Sequence, residues 1–432
     1  APPPAPVVIV SPPALEPAVP PAPPAAQAPA ATAELDPLGS LAAGFKRLVN
    51  IPKPELRLVL ELHPFYRFSE VYETNIYRVP PERPNVARVG GGVVGSWITV
   101  NELGTGWKLP ISKRHALRGD YSARASHYST QGRTNNALDQ TIVAGWDYSG
   151  RKGVTAGLSD TYVNTEDSAF SEQVARQRRM SNEVAGFLDV EHSRRLFTKL
   201  SARHQNSKYL DPSLARNLNR FDTAFGVDMG VRVAPKTRAY LAYRRELTHY
   251  SAGRADHSTG HRAGLGVTGI LSNRVTGKIQ ADIHFRRYTG GTANLKQETT
   301  SILGALDLKY QATRRLQGNL GAWRSIQEST FGFSRHTVVS GASLGVTQTL
   351  GKWGLGADAR FETTRYPEAT TLRGEYGTRR DDNYTGTLRA DYKVRTWLST
   401  DLSYQRSQRH SRFSNDFNFA NDRTSFSLRA QF

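Results

Sequence analysis

The residues best suited to acid–base chemistry are Asp282 and His284, which lie two positions apart in the segment VTGKIQADIHFRRY. An imidazole oriented by a carboxylate is the base of a hydrolytic triad. In a β-strand, residues i and i+2 share a face, so the two side chains would be neighbours. No nucleophile stands at a suitable spacing. We therefore expect a structural pair in a protein wall and no enzyme.

Three other patterns are weak as functional motifs. The segment GGGVVG at 90–95 matches the dinucleotide-binding pattern, but the strand-like SWITVNEL follows it where a helix is required. The absence of cysteine excludes a cysteine-based zinc site. The loop acids lack the spacing of an EF-hand, so we expect no metal and no cofactor; these acids are Asp381, Asp382, Asp416 and Asp422.

The elements that carry these residues alternate apolar and polar positions. Within 275–288, one face holds Val275, Ile279 and Ile283, and the other holds Lys278 and Asp282. Such alternation indicates strands with one apolar and one wet face. The same pattern recurs at 56–62, 355–361, 388–394 and 425–432.

The connections between these segments alternate in length. Eight short turns lie at 112–114, 150–153, 193–195, 234–236, 272–274, 312–315, 351–352 and 394–396, and longer polar stretches such as 73–96, 166–179, 210–219, 367–379 and 411–418 separate them. This asymmetry is typical of an outer-membrane barrel with tight periplasmic turns. We predict an all-β, antiparallel up-and-down transmembrane barrel of about 18 strands (16–18), with both termini periplasmic. A water-soluble sandwich is the competing architecture, but the outward positions here are often Ala, Gly or Tyr.

The N-terminal region differs from the rest in composition. Residues 1–35 are rich in proline and alanine, which predicts a flexible periplasmic arm, and the start at Ala1 suggests removal of a secretory signal. Residues 36–54 have near-helical apolar spacing and predict a short amphipathic helix and linker, whereas 55–432 form the barrel. The arm could bind a periplasmic export protein.

The charge of the chain is strongly positive, with 57 Lys and Arg against 38 Asp and Glu. Much of the excess falls in turns and loops, such as 113–114, 194–195 and 379–380, so we expect external arginines to bind lipopolysaccharide in the outer-membrane lipid. Nucleic acid is not an expected partner. The inward face should carry both signs, mostly as mutual salt bridges; the lumen-lining candidates are Arg118, Asp120, Arg124, Lys199, Arg203, Arg244, Glu246, Lys278, Asp282, His284, Arg286, Asp358, Arg360, Arg389, Asp391 and Lys393.

The chain resembles the family described as Putative β-barrel porin type 2. The features that carry the resemblance are PFYRFSEVYETNIYR near the first strand, LGVTGILSNRVTGKIQADIHFRRY midway and YQRSQRHSRFSNDFNFANDRTSFSLRAQF at the end. The resemblance spans about 56–432. It implies a Gram-negative outer-membrane barrel and a conduit for a secreted polysaccharide that works with export partners. It supplies no catalytic residues.

Three functions remain open at this point. The first is an exopolysaccharide export conduit, in which a hydrated chain slides past weak, replaceable hydrogen bonds. The second is a general or small-solute diffusion porin that needs no partner. The third is a structural barrel that scaffolds an envelope or surface complex.

Overall fold

The structure is a computed structural model that describes residues 59–81, 92–150, 153–166, 178–251, 257–290, 297–329, 334–372 and 374–432. The predicted arm at 1–35 and the predicted helix at 36–54 lie outside the described residues. The strands are β1 (Glu61–Glu73), β2 (Ser96–Pro110), β3 (His115–Tyr128), β4 (Ala137–Ser149), β5 (Val154–Thr165), β6 (Arg179–Glu191), β7 (Leu196–Tyr209), β8 (Arg220–Ala234), β9 (Thr237–Tyr250), β10 (His257–Ser272), β11 (Val275–Thr289), β12 (Glu298–Gln311), β13 (Leu316–Glu328), β14 (His336–Leu350), β15 (Trp353–Leu372), β16 (Glu375–Lys393), β17 (Leu398–Ser411) and β18 (Phe419–Gln431).

Each strand pairs antiparallel with the next one in sequence, and β1 also pairs with β18. The closing register places Phe65 opposite Gln431 and Tyr72 opposite Thr424. The eighteen strands therefore form one closed up-and-down barrel without a free edge, which confirms the predicted fold class and strand number. Because the number is even, β1 begins and β18 ends at the same rim.

The two rims of the barrel differ in their connections. The turn rim carries the eight short connections at 111–114, 150–153, 192–195, 235–236, 273–274, 312–315, 351–352 and 394–397, and the start of β1 and the end of β18 lie there too. The loop rim carries the remaining connections. Three short helices, α1 (Gly132–Asn135), α2 (Pro212–Leu218) and α3 (Ser414–Phe417), belong to loop-rim connections and pack on β3, β7 and β17. None of the helices in the described part of the chain has the length and apolar character needed to cross a membrane.

One predicted loop is wrong. Residues 367–379 were expected to form a long polar connection, but β15 continues to Leu372 and β16 begins at Glu375, so this hairpin extends beyond its neighbours. The extension is held by a buried cluster at the loop rim. The Arg379 guanidinium lies over the rings of Tyr366 and Phe417, 4.4 Å and 3.7 Å from their centroids, and pairs with Asp381. Polar residues here are thus part of a packed strand pair.

The outer face of the barrel carries an apolar belt bounded by aromatic rings. On the β15–β16 hairpin, Trp353 packs against Tyr392 near the turn rim, and eight residues further along each strand Phe361 packs against Tyr384. At about 3.3 Å per residue the two pairs lie roughly 26 Å apart along the strands. Leu388, midway between the two tyrosines, is 61% exposed. The belt matches the apolar band of an outer-membrane barrel, about 25 Å tall.

Aromatic residues also cluster at the turn rim on other strands. Trp146 stacks near His115 and Tyr148, and the last residue, Phe432, stacks on Trp397 with ring centroids 6.0 Å apart. Rings of this kind sit at the boundary between lipid and water, where an apolar body and a polar tip are both satisfied. Trp353 and Trp397 likewise lie beside turn-rim connections.

Candidate functional site

The inner wall of the barrel is the candidate functional site, and β11 shows how the sequence builds it. Ile279 and Ile283 are exposed on the outer face, whereas the alternating residues Asp282, His284 and Arg286 are buried. In a closed barrel the buried face is the inner one, because side chains converge there. The alternation of β11 therefore sends its charged groups inward.

The sixteen predicted lumen-lining residues all lie on strands, on the face that alternates with exposed apolar positions. The structure separates them by exposure. Exposed members are Arg118, Asp120, Lys278, Asp358, Arg389 and Lys393; half-buried members are Arg124, Lys199, Arg203, Arg244, Glu246, Arg360 and Asp391; buried members are Asp282, His284 and Arg286. They do not form one cluster but are spread over six strands. Their role in transport stays a prediction.

One part of the inner wall, the open arc, consists of β3, β4 and β15–β17. Its charged side chains pair between neighbouring strands but remain accessible to solvent. Arg389 Nη2 lies 3.4 Å from Asp358 Oδ2, and their side chains are 45% and 48% exposed. Arg118 Nε lies 2.8 Å from Asp147 Oδ2 in a similarly exposed pair. Such exposed pairs contribute little to stability, so these groups are free to exchange partners with a passing solute.

The open arc also brings like charges together near the turn rim. Asp391 of β16 stands directly opposite Asp401 of β17 in the strand register. Directly opposed like charges destabilise a strand pair. Lys393 stands two residues further on the same face of β16. This acidic pair is a local source of negative potential inside the barrel.

A second part, the packed arc, consists of β8–β11 and β13. Here charged groups are buried against one another near the loop rim. Glu328 accepts hydrogen bonds from the hydroxyls of Tyr250 and Ser258 at 3.2 Å and 3.1 Å, and Arg286 Nη1 lies 2.9 Å from it. Arg286 Nη2 also lies 3.6 Å from Glu246. Buried charges persist only when they are paired and hydrogen-bonded in this way.

Glycines on the inner face of β10 make this close packing possible. A Cβ added to Gly260 would stand 2.7 Å from His284 Nε2, and Cβ atoms at Gly264 and Gly266 would overlap Asp282 and Tyr240. Side chains of β9 and β11 therefore lean over β10 from both sides. Tyr240 donates a hydrogen bond to Gln280 at 3.3 Å across that strand. Side chains of β9 and β11 occupy the space that β10 leaves empty, which is why Asp282, His284 and Tyr240 are buried.

A further ion cluster ties four strands near the turn rim. Arg238 of β9 lies 2.6 Å from both Asp189 and Glu191 of β6, and its guanidinium covers the ring of Phe197 of β7 at 4.5 Å. Arg232 of β8 pairs with Glu191 as well. These ion pairs tie β6 to β9 across the two strands that lie between them.

Asp282 and His284 share a face, as the alternation predicts, but they do not form a catalytic dyad. Asp282 accepts hydrogen bonds from Arg262 at 2.5 Å and Gln280 at 2.8 Å. His284 Nε2 lies 3.5 Å from Glu246 Oε2. Among the described residues, no group of three His, Asp or Glu side chains could hold a metal ion. The arrangement favours structural ion pairing.

A polar cavity of about 560 Å³ opens between β6–β11 and β13 toward the loop rim. Its lining combines donors and acceptors from both ends of the packed arc. Residues that sequence reasoning did not single out include Arg262, Gln327 and Glu328. Two patterns in the sequence point to these residues: the glycines at alternating positions of β10, and the polar residues Ser325 and Gln327 at alternating positions of β13. Other side chains that line the cavity include Arg203, Asp222, Glu246 and Arg286.

Comparisons with known proteins place the chain in a family. A comparison with curated proteins found no match. The chain is similar to the solved structure of OccAB4 of Acinetobacter baumannii, with 11% sequence identity, coverage of 86% of this chain and 98% of that chain, and a TM-score of 0.44. It is also similar to opdK of Pseudomonas aeruginosa, with 10% identity, coverage of 86% of this chain and 99% of that chain, and a TM-score of 0.46. A structure titled bacterial polysaccharide outer membrane secretin has 8% sequence identity to the chain. The comparison covers 85% of this chain and 98% of that chain, with a TM-score of 0.35. These likenesses are too weak to carry a function across.

A comparison with protein families gives a match over nearly the whole described barrel. The model described as Putative beta-barrel porin 2 matches residues 62–432, which include nearly all of β1 and the whole of β2–β18. The resemblance found in the sequence is thereby confirmed. The chain belongs to the Putative beta-barrel porin 2 family and is a porin-type barrel of the outer membrane.

Proposed function

We propose that this barrel is a conduit for exopolysaccharide export across the outer membrane and not an enzyme. The observation that supports this role is the open arc, where both signs of charge face solvent in loose pairs such as Arg389–Asp358 and Arg118–Asp147. Paired charges offer hydrogen-bond donors and acceptors without a net field. A hydrated sugar chain could exchange its hydroxyl contacts along such a wall without strong binding, while upstream machinery supplies direction.

The orientation of the barrel is part of the same proposal. The turn rim faces the periplasm, so the chain before β1 and the end of β18 lie there, and the proline-rich arm at 1–35 recruits a periplasmic export protein. The loop rim faces outward and meets lipopolysaccharide. β9, β11 and β17 share a pattern on the outer face: an exposed aromatic residue is followed, two residues nearer the loop rim, by an arginine. Guanidinium groups at that height suit the phosphate groups of the lipid. The three arginines are Arg245, Arg287 and Arg406.

A deletion strain tests the role in export. We expect loss of secreted polysaccharide and recovery with the full chain, but only partial recovery with a chain that lacks 1–35. Secretion of normal amounts of polysaccharide by the deletion strain would contradict the proposed export role.

A general diffusion porin is the second candidate. The observation that favours it is that each described strand packs chiefly along its two neighbours, with no described helix laid across the interior. This candidate needs no periplasmic partner. Full recovery of transport by the chain without 1–35, together with uptake of unrelated small solutes, would favour it over export.

A further inference from the structure

The eight turn-rim connections carry charge of one sign only. Together their 26 residues contain twelve Lys or Arg and no Asp or Glu. The loop-rim connections between β1 and β18 also contain twelve basic residues, but these are spread over 83 residues and accompanied by seven acidic ones. Twelve units of the chain's formal charge of +19 therefore belong to the turn rim.

Six of these cations occupy one equivalent position, the last residue of a turn-rim connection, directly before a strand. Each continues the ladder beyond the end of its strand, because its backbone carbonyl accepts a hydrogen bond from the next strand along the chain. The carbonyl of Arg195 accepts from Arg232 of β8 at 2.6 Å, for example. We call the six residues the mouth ring; they are Arg114, Arg195, Lys236, Arg274, Arg315 and Lys352.

The alternation of strand residues turns the mouth ring toward the barrel opening. Trp353 and Tyr392 stand opposite each other on the outer face. One residue nearer the turn rim, the carbonyl of Lys352 accepts a hydrogen bond from Lys393 N–H at 3.0 Å, so these two side chains share the inner face. Directly opposed like charges destabilise a strand pair, so stability does not account for this arrangement.

The mouth ring is accessible to a ligand. All six side chains are exposed, and none forms an ion pair with a carboxylate in the part of the chain that the structure describes. Acidic residues at nearby strand ends are engaged by other arginines, since Asp147 pairs with Arg118, and Glu191 pairs with Arg232 and Arg238. The charge of the ring is thus available to an anion from outside the protein.

Four members of the ring start from a fixed backbone. In each of these turns, a Ser or Thr hydroxyl accepts a hydrogen bond from the N–H of the ring arginine two residues later, at 3.1–3.5 Å. Such side chain–backbone bonds define the conformation of a turn. The hydroxyls belong to Ser112, Ser193, Ser272 and Thr313.

The ring is uneven around the opening. Five of its six cations stand on consecutive turns, from the one before β7 to the one before β15. The two equivalent positions without a cation hold Gly153 and Trp397. The acidic pair Asp391–Asp401 lies on β16 and β17, beyond the end of the basic row. One side of the opening therefore presents positive charge without a nearby acidic group of that pair.

We propose that the mouth ring gathers an acidic polysaccharide, a chain that carries carboxylate groups, and the choice of a polysaccharide rests on the proposed function. A cluster of one sign around an opening with low-dielectric walls focuses its field and raises the local concentration of the oppositely charged ligand. Guanidinium groups also bind carboxylates through two parallel hydrogen bonds. In the proposed orientation the ring stands at the entry side, before the mixed charges of the open arc.

Fluorescence anisotropy with the full-length chain in non-ionic detergent micelles tests this inference without requiring an open pore. The probes are labelled hexagalacturonate and labelled maltohexaose, a neutral chain of equal length. We expect hexagalacturonate to bind more tightly than maltohexaose. Its affinity should fall when sodium chloride is raised from about 0.05 M to about 0.5 M, because salt screens exposed charges. Equal affinities for the two sugars, or binding of hexagalacturonate that salt does not weaken, would overturn the proposal.

Substitutions locate the binding. The ring variant combines Arg195→Gln, Arg274→Gln and Arg315→Gln. We expect it to weaken hexagalacturonate binding by about tenfold, roughly twofold for each unit charge removed about 8 Å from the ligand in water. The control variant removes three exposed arginines from loop-rim connections and should change the affinity less than twofold; it combines Arg133→Gln, Arg216→Gln and Arg412→Gln. Equal effects of the two variants would contradict a site at the mouth ring.

Anionic lipid is the competing partner for exposed cations beside a membrane. Native mass spectrometry of the chain with phosphatidylglycerol or phosphatidylcholine measures lipid binding directly. If the ring variant kept its affinity for hexagalacturonate but lost a preference for phosphatidylglycerol, the ring would serve lipid, and the proposal would be wrong.

The outcome is separable from that of the proposed function. Normal polysaccharide secretion by a deletion strain, with hexagalacturonate still bound through the ring, would remove the export role and leave the anion-gathering opening. Lost secretion together with equal binding of the two sugars would leave the export role and remove the acidic substrate class. Circular dichroism of each variant checks that it has folded as a β-barrel.

Discussion

Arg286 of β11 and Glu328 of β13 meet across the inner wall with Nη1 and Oε1 2.9 Å apart, and their side chains are only 6% and 5% exposed. The two strands are not neighbours, since β12 lies between them. The pair therefore ties non-adjacent parts of the wall and anchors the packed arc. In contrast, Arg389 and Asp358 belong to adjacent strands and remain in contact with solvent.

Glu328→Gln should lower the free energy of unfolding by about 3–5 kcal/mol, because it leaves the buried Arg286 without its closest charge partner. Asp358→Asn, in the exposed pair, should cost less than about 1 kcal/mol. Urea titration of the two variants in the same detergent, followed by tryptophan fluorescence, compares them. Equal losses would contradict the division into a packed and an open arc.

The apolar belt predicts which outer-face positions of β16 lie deep in the lipid bilayer. Leu388 lies midway between Tyr384 and Tyr392 on the outer face of β16, so an arginine there would stand in the centre of the lipid. Leu388→Arg should cost about 2–4 kcal/mol in folding into lipid vesicles. Thr378→Arg, on the same face but beyond Asp382 and toward the loop rim, should cost about 0–1 kcal/mol. A larger cost at Thr378 would mean that the belt is misplaced.

Much of the architecture could be predicted from sequence because barrel strands are a local pattern. Alternation identified the strands, and the contrast of short and long connections predicted their number and the rim that the start of β1 shares with the end of β18. The extension of the β15–β16 hairpin through 367–379 was missed because it depends on Arg379 packing against Tyr366 and Phe417. Residues so far apart in sequence leave no periodic signal that pairs them.

The division of the inner wall into two arcs could not be predicted for a related reason. Arg286 and Arg389 occupy equivalent inward positions in alternating strands, and nothing in their own segments separates them. Arg286 is buried for two reasons: β10 has no side chains at Gly260, Gly264 and Gly266, and Glu328 reaches Arg286 from a strand two places away. Arg389 has no such neighbours and stays exposed. Burial here is set by non-local partners.

The glycines of β10 predict a steric effect. Gly266→Ala places a methyl group against the ring of Tyr240, which is buried and cannot move freely. We expect a loss of about 1–3 kcal/mol in the free energy of unfolding, as for overpacking in a core. Gly386→Ala, where no heavy atom lies within 4 Å of the added methyl, should change it by less than about 0.5 kcal/mol.

A double substitution checks the cause of that loss. Gly266→Ala combined with Tyr240→Ala should cost less than the sum of the two single changes, since removal of the ring makes room for the methyl. Strict additivity would show that Gly266 matters for its backbone and not for the space that Tyr240 occupies.

The last prediction concerns ion selectivity. Asp391 faces Asp401 on the inner wall, and a unit charge about 8 Å from a passing ion in water contributes about 0.5 kcal/mol, roughly a twofold change in ion occupancy. Asp391→Asn should therefore lower the cation-to-anion permeability ratio by about twofold. The measurement is the reversal potential in a potassium chloride gradient across a planar bilayer. Asp382→Asn is the matched control, because Asp382 is on the same strand but points outward and pairs with Arg380 at 3.1 Å. If both variants shifted the reversal potential equally, Asp391 would not face the conducting path; if only Asp391→Asn did, the open arc would carry the ions.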